Sequence, residues 1–279
     1  MKYGLNGFQK VVKTTKSWFF RLFSIFERQK KIDWKKYIDE TFIIHLSHRK
    51  DRYKLLKKRT SAQKLKSGFT LFDHIKIFKA IEGKKIKFFS NKIHRNTYDF
   101  KYHWNIDPSP GMEEMLEKNP KILCSSAETG IAFSHYRIWK QIVDRKVPVT
   151  MIMEDDFIFC HNFQEKIENI FENELPSEWD MLYLSKLPNQ FGFTWDHHSE
   201  NLARLYNGVW WLSGYVLTYE GAKKLLKGLP IIGPVDVWIN YQFKNMKVYS
   251  TYDNLIFQAD DTKSDNTYSY VETFKDKVI

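Results

Sequence analysis

Residues 149–160 read Val-Thr-Met-Ile-Met-Glu-Asp-Asp-Phe-Ile-Phe-Cys, and this stretch limits the chain more than any other. Val149 to Met153 is an almost uninterrupted apolar run, the pattern of a short strand buried on both faces. The run stops at Glu154, Asp155 and Asp156. Three adjacent carboxylates repel one another, and a strand end inside a folded domain is a poor place for them without a compensating cation. Ligands of open α/β sheets bind in the crevice beyond the carboxyl ends of the strands. A hard divalent cation there takes one or two carboxylates and leaves its other positions to water and substrate phosphates. The stretch therefore offers a metal–diphosphate site; the competing reading is an acidic turn exposed to water.

The rest of the chain sets the context. At 279 residues it makes one large α/β domain or two small ones, and 43% hydrophobic with 28% charged residues is ordinary for a globular protein. The net charge of +11 is uneven: residues 1–66 hold 19 Lys/Arg against 5 Asp/Glu, the remainder 25 against 28. A basic front on a near-neutral body points to a local anionic partner, either membrane lipid or nucleic acid. No readable nucleic-acid motif accompanies the charge, so no nucleic-acid partner is expected. Cys124 and Cys160 have neither metal-ligand nor redox spacing and read as reduced, small hydrophobic residues.

Residues 8–28 have the pattern of an amphipathic helix. Phe8, Val11, Val12, Trp18, Phe19, Leu22, Phe23, Ile25 and Phe26 share one face, while Lys10, Lys13, Lys16, Arg21 and Arg28 take the other. Aromatic apolar and basic polar faces together mark a helix lying in an anionic membrane interface; the alternative is a helix packed on the protein's own body. The apolar pieces are too short to span a bilayer, and no cleavage site follows a clean apolar core. The expected division is a basic segment, 1–37, and a folded body, 38–279, peripheral at the cytoplasmic face of a membrane.

Within the body, Thr41 to Leu46 reads as a first strand, followed by a loop carrying Arg49 and Arg52 and a basic helix to about Lys66. A loop of that kind suits phosphate or nucleotide recognition. Phe72 to Ala80 reads as a second strand, and residues 84–120 as an irregular insertion or lid. Ser126 to Val143 reads as a helix carrying Glu128 and His135. Residues 162–174 read as helix, Asp180 to Leu184 as strand, and residues 186–208 as a polar, aromatic-rich loop whose His197-His198 pair lacks a third metal ligand. Val209 to Leu217 reads as a bent strand or strand pair, Tyr219 to Lys227 as a helix, and Pro234-Val-Asp236 as a helix start. An acid at that place is a common N-terminal cap.

Taken in order, these stretches resemble glycosyltransferase family 25, of the lipopolysaccharide-biosynthesis and collagen-galactosyltransferase type. The resemblance runs through Ile43-Ile-His-Leu-Ser-His-Arg-Lys-Asp-Arg52, Phe78 to Lys85, Ala127 to His135, Met153-Glu-Asp-Asp156, Gly214 to Leu226, Pro234-Val-Asp236 and the late Gln258 with Ser264-Asp265. It covers about residues 40–266. Ala127 stands where a glycine is usual, and Thr129 replaces an aliphatic residue.

The resemblance implies a GT-A type fold: a Rossmann-like mixed sheet flanked by helices, here with the N-terminal amphipathic helix added. It implies an inverting transferase that uses a nucleotide-sugar donor, usually a UDP-sugar and often UDP-galactose, with Mn(II) or Mg(II) and a glycan or glycolipid acceptor. The expected metal ligands are Asp156 and Asp155. Expected donor contacts are Arg49, Arg52, Glu128, His135, Glu154 and Asp155. Inversion needs a carboxylate to take the acceptor hydroxyl's proton; Asp236 is the first candidate and Asp180 the reserve. Trp210 and Trp211 are candidates for stacking on sugar, with core packing as the alternative.

Overall fold

The computed structural model describes residues 30–86, 93–94, 97–259 and 270–271. The expected amphipathic helix at 8–28 and the Ser264-Asp265 pair lie outside them. Eight strands form the main sheet: β1 (Glu40–His45), β2 (Ile75–Lys79), β3 (Val149–Glu154), β4 (Met181–Tyr183), β5 (Thr194–His197), β6 (Leu202–Asn207), β7 (Gly214–Thr218) and β8 (Val248–Thr251). Their order across the sheet is β5-β6-β8-β4-β7-β3-β1-β2. β1 is parallel to both β2 and β3, and β8 is parallel to β4. β7 runs against β3 and β4, and β5 and β6 add an antiparallel hairpin at one margin. This is the mixed Rossmann-like sheet that the resemblance implied.

Strand residues alternate between faces, and the alternation sorts the core into two layers. Phe42, Ile44, Ile152, Tyr183, Tyr215 and Leu217 face α2 (Ser126–Arg145), α4 (Tyr219–Lys227) and α5 (Val235–Asn240), where Ile138, Trp139, Leu225 and Trp238 meet them. Ile43, Met151, Met153, Leu182 and Val216 face the other way, onto α1 (Lys50–Ser61) and α3 (Phe163–Asn169) through Leu56, Phe163 and Ile167. The apolar run 149–153 is thus continuous because both of its faces are covered.

Several expected elements differ in detail. Ile32, Trp34 and Tyr37 are buried in the second layer, so the packed body reaches back to Ile32 rather than starting near Ile38. Residues 186–208 hold the β5–β6 hairpin; the exposed margin carries Trp195 and Tyr206 outward, which hides the strand pattern under polar neighbours. The insertion also holds structure: short helices Phe100–Trp104 and Glu113–Lys118, and strands Thr97–Asp99 and Lys121–Leu123 that pair with one another. It is anchored to the body by Tyr102 stacked on Tyr241 at 4.1 Å and by Asn189 Nδ2 donating to the Ile106 carbonyl at 2.8 Å. Among the described residues no helix is long and apolar enough to cross a membrane.

Candidate active site

The parallel strands β1 and β3 end side by side, at His45 and Glu154, and β7 begins between β3 and β4 at the same margin. This is where ligands of such sheets bind. Asp155, the residue after β3, is buried. Its Oδ2 lies 2.7 Å from His45 Nδ1, and its Oδ1 accepts from Arg52 Nη1 at 2.7 Å. Arg52 can do this because it falls on the buried stripe of α1 with Leu56 and Thr60. The cation that the three carboxylates require is supplied, for Asp155, by the protein itself. Asp155, expected as a metal ligand and donor contact, and Arg52, expected as a diphosphate contact, hold each other here, and with His45 they fix the acidic turn.

Asp156 differs from its neighbour. Its Oδ2 is 3.4 Å from Arg52 Nη1 and accepts from Gln258 Nε2 at 3.3 Å, whereas its Oδ1 is buried with no hydrogen-bond partner. Burial first, and then the Glu154 charge, push its pKa up to about 6 against the opposing pull of Arg52 and Gln258. A buried carboxylate oxygen without a partner, beside further negative charge, fits a cation ligand. No group of three His, Cys, Asp or Glu side chains that could enclose a metal exists among the described residues. A cation here would draw its remaining ligands from water and diphosphate, as Mg(II) does in such sites.

Glu154 turns toward the α2 side. His135 Nε2 lies 3.9 Å from Glu154 Oε1, and His135 Nδ1 is 2.9 Å from the Tyr215 hydroxyl. That hydroxyl also accepts from Trp139 Nε1 at 2.9 Å. Its own proton is then free to go to His135 Nδ1, which leaves a proton on Nε2. His135 is thus held through Nδ1, while its Nε2 is buried with no hydrogen-bond partner, Glu154 Oε1 lying 3.9 Å away.

The remainder of that helix motif is architectural. Ser125, not Ser126, caps α2: Ser125 N–H donates to Glu128 Oε2 at 2.7 Å and Glu128 N–H donates to Ser125 Oγ at 3.1 Å, a reciprocal capping box. Glu128, expected as a donor contact, spends one carboxylate oxygen on that cap. Thr129 Oγ1 donates to the Ser125 carbonyl at 3.0 Å, which accounts for a hydroxyl where an aliphatic residue was expected. Gly130 and Gly83 let the Ala80–Gly83 turn lie directly on α2. A Cβ on Gly130 would sit 2.3 Å from the Ile81 carbonyl oxygen, and one on Gly83 1.5 Å from that of Ser126. Ser134 Oγ accepts from Ile81 N–H at 2.9 Å and locks the contact.

Asp236 stands in the first turn of α5. Val237 N–H donates to its Oδ1 at 3.0 Å and Trp211 N–H approaches its Oδ2 at 3.4 Å. Trp211 presents that N–H from a left-handed backbone, φ 72°, which is unfavourable for a large residue and persists only where the surroundings impose it. Burial first raises the Asp236 pKa to about 6; the two N–H groups oppose the shift, and the Glu128 and Glu154 charges add to it. Asp236 thus lies within electrostatic reach of Glu128 and Glu154. A carboxylate with its pKa raised to about 6 is suited to accept a proton.

This geometry can be set beside known proteins. The sequence profile of glycosyltransferase family 25 (LPS biosynthesis protein) matches residues 38–239. The chain belongs to this family. It is 28% identical over 255 residues to procollagen galactosyltransferase 2 of Homo sapiens, covering 84% of this chain and 37% of that protein. It is 29% identical over 219 residues to procollagen galactosyltransferase 1-B of Xenopus laevis, covering 75% and 32%. It is also 27% identical over 211 residues to the inactive glycosyltransferase 25 family member 3 of Mus musculus, covering 74% and 32%. The chain spans about a third of the length of these relatives.

In this family 25 chain the remaining candidates divide cleanly. Arg49 is engaged with Asp51 through Nε at 3.0 Å and Nη2 at 2.7 Å on the surface, beside the acidic turn. Asp180, the reserve base, lies at the opening of β4, on the opposite margin of the sheet, and holds Lys224 Nζ at 2.7 Å and Lys247 N–H at 2.6 Å. Trp210 packs against His103 of the insertion at 5.1 Å. His197 and His198 diverge, to the Tyr252 hydroxyl at 2.7 Å and the Glu174 carbonyl at 3.1 Å.

Four site residues escaped sequence reasoning: His45, Gln258, Tyr215 and Asn240. His45 and Gln258 stand inside stretches that resemble the family, but their partners are more than a hundred residues away. Asn240 accepts from Val209 N–H at 3.0 Å and donates to the Val209 carbonyl at 2.8 Å, tying α5 to the strand before Trp211. No local pattern announces such a clamp.

Proposed function

We propose that this chain is an inverting glycosyltransferase that moves a hexose from a UDP-sugar to a glycan acceptor. The observation that carries the reading is Asp156 at the end of β3, whose buried Oδ1 has no hydrogen-bond partner; Asp236, its pKa raised to about 6 by burial and in part by the Glu154 charge, supplies the second carboxylate. Asp236 takes the proton of the acceptor hydroxyl as that oxygen attacks the anomeric carbon; the bond to the nucleoside diphosphate breaks as the new one forms. Mn(II) or Mg(II) held by Asp156, with Glu154 nearest to help, would supply charge neutralisation for the leaving diphosphate. Glu154 orients the donor, and Asp155 with Arg52 and His45 keeps the turn rigid.

Galactose as the sugar is supported by the names of the procollagen galactosyltransferase relatives. The family's association with LPS biosynthesis supports a lipooligosaccharide or another surface glycan as acceptor. A collagen-type protein acceptor is the second reading, favoured by the same galactosyltransferase relatives. The basic, aromatic-rich front supports peripheral attachment to an anionic membrane.

The test is nucleotide release from UDP-, GDP- and CMP-sugars, with and without Mn(II), in the presence of a lipooligosaccharide acceptor or a hydroxylysine-containing collagen peptide. Metal-dependent release from one UDP-sugar with one acceptor class supports the reading and names the acceptor. Failure to release nucleotide or to bind UDP under any condition favours a binding protein that has kept the fold, as the name of the inactive mouse relative suggests for that protein.

A further inference from the structure

The acidic turn lies at one margin of the sheet, and a row of basic residues lies elsewhere on the folded body. On α1, Lys50, Lys54, Lys57 and Lys58 recur at helical spacing on the side opposite Arg52, Leu56 and Thr60. Lys64 and Lys66 continue the stripe beyond the helix. All six are exposed, and none forms an ion pair with a described residue. Lys57 lies over the Phe72 ring at 5.4 Å and Lys64 within electrostatic reach of Asp73; the rest of the row repels itself and gains by meeting an anionic surface.

A second observation gives that surface a chemistry. Lys66 lies in a tight turn closed by Leu65 N–H to the Phe69 carbonyl at 2.9 Å and Gly68 N–H to the Leu65 carbonyl at 3.1 Å, with Gly68 at φ +89°. Phe69 stands at its end and is 60% exposed, more than any other large apolar side chain among the described residues. Its ring has an edge contact with His74 at 6.2 Å and is otherwise presented to solvent. An exposed aromatic close in sequence to the exposed Lys64 and Lys66 suits the boundary of an anionic bilayer, where the ring enters the acyl region and the ammonium groups stay among phosphates.

The third observation is where the chain arrives. Lys66 N–H donates to the Ile32 carbonyl at 3.0 Å, so the described chain begins beside this same turn. The segment 1–29, with its alternating aromatic and basic residues, is joined there. We propose that the Leu65–Phe69 turn and the lysine stripe of α1 form the face on which the folded body docks to an anionic phospholipid surface, alongside the N-terminal segment. This deepens, and rests on, the proposed membrane attachment. Nucleic acid is the rival partner for a basic face, but the stripe ends in one protruding phenyl ring rather than in a row of aromatics spaced for successive bases.

The test uses the full chain with Ser67→Cys carrying an environment-sensitive fluorophore, in a Cys124→Ser, Cys160→Ser background. Equimolar phosphatidylcholine–phosphatidylglycerol vesicles are expected to move the emission to the blue and to make it quenchable by doxyl-labelled lipid, while pure phosphatidylcholine does neither. Lys54→Gln, Lys57→Gln and Lys58→Gln together are expected to weaken partitioning by about tenfold or more, and Phe69→Ser to remove the quenching. Vesicle binding with an unchanged, unquenched probe overturns this face while membrane attachment stands. No vesicle binding at all overturns both. A probe that responds to a single-stranded oligonucleotide and not to vesicles reassigns the face to nucleic acid.

Discussion

Arg52 Nη1 lies 2.7 Å from Asp155 Oδ1 and 3.4 Å from Asp156 Oδ2, so two neighbouring carboxylates share one guanidinium unequally. The inequality separates structure from chemistry within one acidic motif. Asp155 has both oxygens engaged, by His45 and Arg52, whereas Asp156 Oδ1 is buried without a hydrogen-bond partner.

Arg52→Ala leaves Asp155 buried without its guanidinium, and breaking such a pair costs about 3–5 kcal/mol. Asp156→Asn is expected to behave oppositely. The folded pKa of about 6 lies above the ordinary value of 3.8, so the native state disfavours the ionised form. Whatever Asp156 contributes to stability is present below its unfolded pKa and lost as pH rises through about 6. Denaturant melts at pH 7.5 should show Arg52→Ala strongly destabilised and Asp156→Asn equal to wild type or better.

Asp236 should set the acid limb of the pH–rate profile. Its ionised form is the base, and its pKa is pushed up to about 6. Turnover should therefore rise through that pH and level off above it. Asp236→Asn should lower kcat by about 10²–10⁴-fold with folding intact by circular dichroism. A profile that does not change on substitution would assign the base elsewhere.

Tyr215→Phe removes the acceptor of Trp139 Nε1 and the partner of His135 Nδ1 in one step. Orphaning those buried groups should cost about 1–3 kcal/mol. Because His135 then loses its orientation toward Glu154, donor affinity should fall as well. Calorimetric melting and donor KM, measured on the same preparation, separate the two effects.

Gly130→Ala should be among the most damaging substitutions outside the acidic turn. The added methyl would lie 2.3 Å from a backbone oxygen that no rotamer can move, and overpacking of this kind costs roughly 1–3 kcal/mol or more. Chemical denaturation tests this directly. A neutral result would mean that the Ala80–Gly83 turn is free to lift from α2.

The sheet was legible because the run 149–153 and the strand at 41–46 are covered on both faces, so their apolar pattern is unbroken. The β5–β6 hairpin was not legible, because its exposed margin interleaves Trp195 and Tyr206 with polar residues. Asp236 and Asp156 were named by residue type and place along the chain. What could not be read for Asp155 and Glu128 is what their oxygens already hold. For Asp155 the decisive partners, His45 and Arg52, are 110 and 103 residues away. For Glu128 the cap three residues back competed with the ligand reading.

The central claim is that Asp156 brings a divalent cation and a nucleoside diphosphate to this margin. Titration calorimetry of UDP in Mn(II) and in EDTA, for wild type and Asp156→Asn, tests it most directly. The account predicts UDP binding to wild type that depends on Mn(II), and loss of that metal-dependent increment in a folded Asp156→Asn. Full Mn(II)-dependent UDP binding by Asp156→Asn would contradict it.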